Sequence, residues 1–288
     1  MSVQTETKRH TLRTLAAFKG KERVAMLTAY DVVTATCLDE AGCEILLTGD
    51  SLGNVVYGFD STLPVTLDMI LAHTAAVARG SRRAFVVADL PFMTFQVNAE
   101  EALRNAGRCL AEAGAQAVKL EGAYPEMCET IRRLTLAGIP VMGHIGLTPQ
   151  SVHQMGGYFV HGKSLTDAER LLAEAKALEA AGCFAIVLEC VTEELALAIT
   201  TQVRCLTIGI GSGSVCDGEV LVINDVLGFS PGRAPKFAAP RLDLKTLVRE
   251  AASSYVRDVK GAAKVAPPPP LPKRDLFQIR PGAEGQTQ

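Results

Sequence analysis

The chain has almost no excess of one charge: 29 Lys and Arg stand against 31 Asp and Glu, a formal net charge of −2. That balance excludes the one-sided basic field of a nucleic-acid binder and a polybasic membrane surface. No apolar run approaches the roughly 18 residues needed to cross a bilayer. The opening MSVQTETKRH has no apolar segment and no small-residue cleavage site, so no signal peptide is read there. The expectation is a soluble, cytoplasmic protein. The 8 cysteines include no CxxC and follow no regular spacing. Cys43, Cys109, Cys183, Cys190 and Cys205 stand in apolar stretches. They read as small buried hydrophobes in a reducing compartment, because zinc ligation needs closer pairs. The first strand-to-helix loop lacks GxGxxG, which weakens a dinucleotide-binding reading.

What is present is a repeated alternation. Short runs rich in Val, Ile and Leu start at Val24, Glu44, Ala84, Ala117, Pro140, Ala185, Cys205 and Glu219. Each suits a strand buried on both faces. Helical patterns separate them over 31–42, 67–79, 98–114, 125–138 and 166–182. Asp31 is a candidate N-cap, and Gly42, Gly114, Gly138 and Gly182 are candidate stops. A helix that stops at glycine and feeds a buried strand is the βα unit. Eight such strands fit an open doubly wound sheet or a closed barrel, and the count favours a (β/α)₈ TIM barrel, of class α/β. The 288 residues do not require two domains, since single barrels of this kind run to about 250. The expected organisation is an N-terminal segment over 1–20, a catalytic barrel over 21–260 and a flexible tail over 261–288. The tail reading rests on APPPPLPKRD, which resembles an extended segment more than a partner-docking motif.

In such barrels the chemistry sits at the carboxyl ends of the strands. Here those ends carry Asp50 and Ser51, then Asp89, Lys119 with Glu121, His144, and Glu189. Burying so many acids together is costly unless a cation compensates. Asp50, Asp89 and Glu121 come from neighbouring strands, and their oxygens suit one hard ion such as Mg²⁺. As single residues they could equally cap helices or pair with loop arginines. Lys119 and Glu121 lie two apart and share a face, where Lys119 can hold a substrate carboxylate or simply pair with its neighbour. Glu189 is placed for proton abstraction beside a carbonyl. His144 reads as a substrate donor, an orienting group or a structural histidine. The IGIGSG run at Ile208–Gly213 is a weak phosphate-loop signal, since glycine also serves tight turns.

Longer motifs carry a family resemblance. The stretches at 47–80, 86–95, 117–122, 143–163, 187–191, 208–213 and 217–229 closely resemble ketopantoate hydroxymethyltransferases, over roughly residues 15–240. The resemblance implies a barrel of the phosphoenolpyruvate mutase/isocitrate lyase group. It implies conversion of 3-methyl-2-oxobutanoate, 5,10-methylenetetrahydrofolate and water into 2-dehydropantoate and tetrahydrofolate, an early step toward pantothenate and coenzyme A. It also implies one Mg²⁺ per subunit at Asp50, Asp89 and Glu121, keto-acid contacts from Asp50, Ser51, Asp89 and Lys119, and Glu189 as proton acceptor. Family members form homo-oligomers, often decamers. The departures are Ser212 where IGIGAG is common, Cys216 before Asp217-Gly218, and Asn224 before Asp225. None removes a proposed catalytic group. Two rivals stay open: a related Mg²⁺-dependent lyase or mutase acting through another enolate, and a silent barrel used as a scaffold.

Overall fold

The computed structural model describes residues 8–157 and 159–262. Its strands are β1 Val24–Thr28, β2 Ile45–Thr48, β3 Phe85–Asp89, β4 Ala117–Glu121, β5 Val141–Gly146, β6 Ala185–Glu189, β7 Leu206–Ile210 and β8 Gly218–Leu221. Each pairs in parallel with the next, and β8 pairs with β1 to close the barrel. This is the (β/α)₈ architecture expected from the alternation.

Period-two alternation splits every strand between two cores. Val86 and Ala88, Val118 and Leu120, Ile186 and Leu188 pack outward against the helices. Phe85 and Val87, Ala117, Met142, Ala185 and Val187 face the barrel interior. Continuing that inward series up each strand gives Asp89, then Lys119 and Glu121, then His144, then Glu189. The apolar interior therefore ends in a polar layer at the carboxyl rim. At the other end, Leu15 joins the interior core from the short helix Leu12–Ala16.

The expected helices form as Val32–Ala41, Leu67–Gly80, Ala99–Ala111, Pro125–Leu136 and Leu165–Ala181. Asp31 caps the first by accepting from the Val33 and Thr34 N–H groups, each at 2.9 Å. Gly42 and Gly182, both at φ 104°, occupy the left-handed position that ends their helices. Gly80 works differently. It is still helical, and a Cβ there would meet the Val32 carbonyl oxygen at 2.4 Å, so its role is close helix contact. The helix Glu193–Gln202 went unread because its β-branched end blurs the period. There Thr200 and Thr201 return their hydroxyls to the Ala196 and Leu197 carbonyls.

One buried acid holds the approach to β3. The Asp39 carboxylate accepts from the N–H groups of Ala84 at 2.6 Å, Arg83 at 2.9 Å and Arg82 at 3.1 Å, and from the Ser81 hydroxyl at 3.1 Å. Burial alone would raise its pKa, but these donors hold it below the usual carboxylate value. A carboxyl held low in this way stabilises the fold above its unfolded pKa, and that contribution is lost as the pH falls through the lowered value.

The chain divides into a compact unit through Lys245 and a second from Thr246 onward. The described part of the second unit is helical, within the helix Leu244–Gly261. Residues 263–288, which hold the proline-rich segment, lie outside the described residues. No helix among the described residues is long and apolar enough to cross a membrane.

Candidate active site

The strand register sets the site. Asp89 on β3 is level with Lys119 on β4, Glu121 with His144 on β5, and Gly146 with Glu189 on β6. Asp89, Lys119, Glu121, His144 and Glu189 line one cavity of about 180 Å³ together with Asp50 and Ser51, which follow β2. Leu47, Val187, Ile210 and Val220 form its apolar floor and walls. All seven residues singled out from the sequence meet there: Asp50, Ser51, Asp89, Lys119, Glu121, His144 and Glu189.

The polar contacts form a continuous chain. Lys119 Nζ lies 2.8 Å from Asp89 Oδ1, 4.0 Å from Glu121 Oε1 and 3.4 Å from His144 Nδ1. His144 sits between two acids, with Nδ1 3.4 Å from Glu121 Oε1 and Nε2 3.1 Å from Glu189 Oε2. Asp89 Oδ2 accepts from the Asp50 N–H at 3.2 Å. Asp89, Lys119, Glu121 and His144 are all buried.

Charge in this enclosure is mutually dependent. Burial pushes the Asp50 carboxyl up to about 8, and the nearby Asp89 and Glu121 add to the shift. Burial opposes the Lys119 charge, but the carboxylates of Asp89, Glu121 and Asp50 overcome it and hold the ammonium protonated. Burial and Lys119 also oppose an imidazolium at His144. The adjacent carboxylates of Glu121 and Glu189 outweigh them and raise the ring to about 9. The site thus has carboxylates short of positive charge, and burial raises both Asp50 and Asp89.

Two contributors were missed in the sequence. Gln150 is buried, donates through Nε2 to Asp50 Oδ2 at 2.9 Å, and donates its backbone N–H to Glu121 Oε2 at 3.0 Å. It lies in the Pro149–Ser151 turn beyond β5, so a search of strand ends passes it by. Its signal was its place inside the GHIGLTPQS motif. Tyr30 is also buried and its hydroxyl lies 2.8 Å from Ser51 Oγ. It ends the apolar run that starts at Val24.

The IGIGSG loop resolves to its turn-forming alternative. Ser212 is buried, donates to the Leu188 carbonyl at 2.8 Å and accepts from the Val191 N–H at 3.0 Å, joining the β6 and β7 ends. Of Ile208–Gly213, Ile210 alone lines the cavity.

A family model described as ketopantoate hydroxymethyltransferase matches residues 9–263. The chain is similar to a 3-methyl-2-oxobutanoate hydroxymethyltransferase of Carboxydothermus hydrogenoformans, 57% identical over 83% of this chain and 86% of that protein. A protein of the same name from Syntrophus aciditrophicus is 52% identical over 90% of this chain and 96% of its own length. Among solved structures, the fold is similar to a phosphoenolpyruvate phosphomutase from Streptomyces platensis subsp. rosaceus, with TM-score 0.60 and 16% identity over 90% of this chain and 92% of that one. A phosphonopyruvate hydrolase in complex with oxalate and Mg²⁺ has TM-score 0.59 and 13% identity, covering 88% of each chain. At such identities the structural likeness is one of fold. The family match spans the barrel from before β1 to beyond β8, and these relatives are identical to the chain at more than half of the aligned positions. This chain is an enzyme that belongs to the ketopantoate hydroxymethyltransferase family.

Proposed function

We propose that the cavity at the carboxyl rim transfers a hydroxymethyl group from 5,10-methylenetetrahydrofolate to 3-methyl-2-oxobutanoate, in the pathway to pantothenate. The observation that carries this reading is the inward polar layer, in which Asp89, Lys119, Glu121, His144 and Glu189 follow one another across adjacent strands and surround a small enclosed space.

The residues fit a hard divalent cation in donor chemistry. Asp89 Oδ1 is buried, and Lys119 approaches it as a charge without hydrogen-bond geometry, so a lone pair stays available. Asp50 and Glu121 offer further oxygens in the same cavity. Among the described residues no group of three or more acids, imidazoles or thiols is placed to hold a metal ion as the side chains stand. Mg²⁺ needs none, because it takes one or two carboxylates and fills its other positions with water and substrate oxygens. Its carboxylate ligands would come from among Asp50, Asp89 and Glu121. When bound, the ion supplies a Lewis acid where negative charge develops on the keto acid.

The chain's own groups account for the rest. Lys119 and Ser51 hold the substrate carboxylate, and Tyr30 fixes the Ser51 hydroxyl. Glu189 takes the C3 proton, leaving an enolate whose C3 attacks the one-carbon unit. Water supplies the hydroxyl group, and tetrahydrofolate departs. His144 orients Glu189 through Nε2 and Glu121 through Nδ1, and it can turn one donor toward the keto acid. A cytoplasmic, homo-oligomeric enzyme, a decamer on the family pattern, belongs to this reading. The 8 free cysteines agree with a reducing compartment.

The purified chain is expected to form 2-dehydropantoate from the keto acid and methylenetetrahydrofolate. Chelation with EDTA should slow turnover at least about a hundredfold, given the several kcal/mol a Lewis acid contributes, and added Mg²⁺ should restore it. Full turnover in EDTA would remove the metal from the account. Carbon–carbon cleavage of the keto acid without 2-dehydropantoate would move the chain to the lyase reading.

A further inference from the structure

A second cavity, of about 770 Å³, adjoins the first on the β4–β5 side. The two share Glu121 as a common wall, and Gln150, which lines the second, donates to Asp50 of the first. The volumes divide the work. About 180 Å³ suits a small acid and lies below the usual range for larger ligands, roughly 300–1,000 Å³, whereas 770 Å³ lies within it.

The lining of the larger cavity suits a flat, hydrogen-bonding heterocycle. Phe92 and Tyr124 line it although both are exposed, so two aromatic faces stand open at its edge. Gly122 makes room for one of them: it has φ +99°, and a Cβ there would press on the Tyr124 ring at 3.2 Å. His161 also lines the cavity. It is buried, with 4% of its surface exposed, yet neither ring nitrogen has a hydrogen bond. Nδ1 lies 3.5 Å from Asp167 Oδ2, a carboxylate already accepting from the Gly162 N–H and paired with Arg170; Nε2 has no partner. Its backbone is anchored there, with the His161 N–H donating to the Cys190 carbonyl at 2.7 Å and its carbonyl accepting from the Thr192 N–H at 3.0 Å. A buried polar group left open in this way calls for a ligand partner.

From this we infer that the larger cavity binds the one-carbon donor, with the pterin ring of the folate against Tyr124 and Phe92 and a hydrogen bond to His161. The inference rests on the proposed transfer reaction and adds where its second substrate sits. The competing cavity, toward β8, is lined by Ser51, Asn54, Asp60, Val222, Asp225 and Arg233 among others. It is smaller, at about 390 Å³, and the Asp225 carboxylate there already accepts from Ser230.

Calorimetric titration of the full-length enzyme with tetrahydrofolate tests the assignment. Tyr124→Ala and His161→Leu should each weaken binding about tenfold, through the loss of ring stacking in the first and of a buried polar contact in the second. Lys21→Ala, before β1 at the opposite end of the barrel, should bind as the parent does. Tyr124 is exposed, so its variant carries the test even if His161→Leu does not fold. Parent-like affinity in Tyr124→Ala and in folded His161→Leu would overturn the assignment while leaving the reaction intact. Loss of affinity in Arg233→Ala alone would overturn it in favour of the β8 side. If the parent enzyme neither binds tetrahydrofolate nor forms 2-dehydropantoate, the transfer reading fails and the assignment falls with it.

Discussion

Glu189→Gln should bind 3-methyl-2-oxobutanoate with parent affinity, while exchange of its C3 hydrogen with solvent falls at least about a hundredfold, the ordinary scale of general-base loss. Exchange in deuterated water, followed by NMR without the folate, isolates this step from the transfer. The substitution keeps the side chain's shape and its ability to accept from His144 Nε2, now 3.1 Å from Glu189 Oε2. It removes the capacity to take a proton. The position itself is tightly made. Gly146, level with Glu189, has φ +91°, and a Cβ there would meet the Glu189 carbonyl oxygen at 2.3 Å. The backbone that carries the base thus rests directly on its neighbour strand. Parent-rate exchange in Glu189→Gln would take the base role away from this residue, with His144 next to be tested.

The second large effect is expected at Lys119. Lys119→Met removes the buried cation 2.8 Å from Asp89 and 4.0 Å from Glu121. Breaking one partner of a buried ion pair leaves an uncompensated charge and costs about 3–5 kcal/mol. In the absence of metal, the variant should unfold at a markedly lower urea concentration. Its keto-acid affinity should fall about a hundredfold, since truncating one side of a buried charge pair in binding costs about 2–5 kcal/mol. Stability and binding can be separated. Lys119→Met with Asp89→Asn, which removes both charges, should recover much of the stability and none of the affinity. If affinity returns with stability, Lys119 supports the fold and does not hold the substrate.

The barrel was legible because the strands are short runs rich in Val, Ile and Leu and most of the expected helices end at or near a glycine, both local signals. The site was legible through one rule, that barrel chemistry gathers at strand carboxyl ends. That rule reached Asp89, Lys119, Glu121, His144 and Glu189, whose inward direction follows from strand alternation alone. It could not reach Gln150, which enters from a loop and joins Asp50 to Glu121 through a contact spanning 100 residues of sequence. Nor could it separate the uses of His144, because a histidine's role is set by what stands on either side of the ring. Here those neighbours are Glu121 and Glu189, which reach it from β4 and β6. Ser212 shows the converse: a residue within a glycine-rich motif whose hydroxyl is used up in joining two strand ends.

Anomalous diffraction from crystals grown with Mn²⁺ and 3-methyl-2-oxobutanoate locates the divalent ion directly. A single peak enclosed by the side chains of residues 50, 89 and 121, with the keto acid's oxygens completing its coordination, is the predicted result. A peak elsewhere on the molecule, or a keto acid seated among those side chains with Lys119 as its only cation, would contradict it.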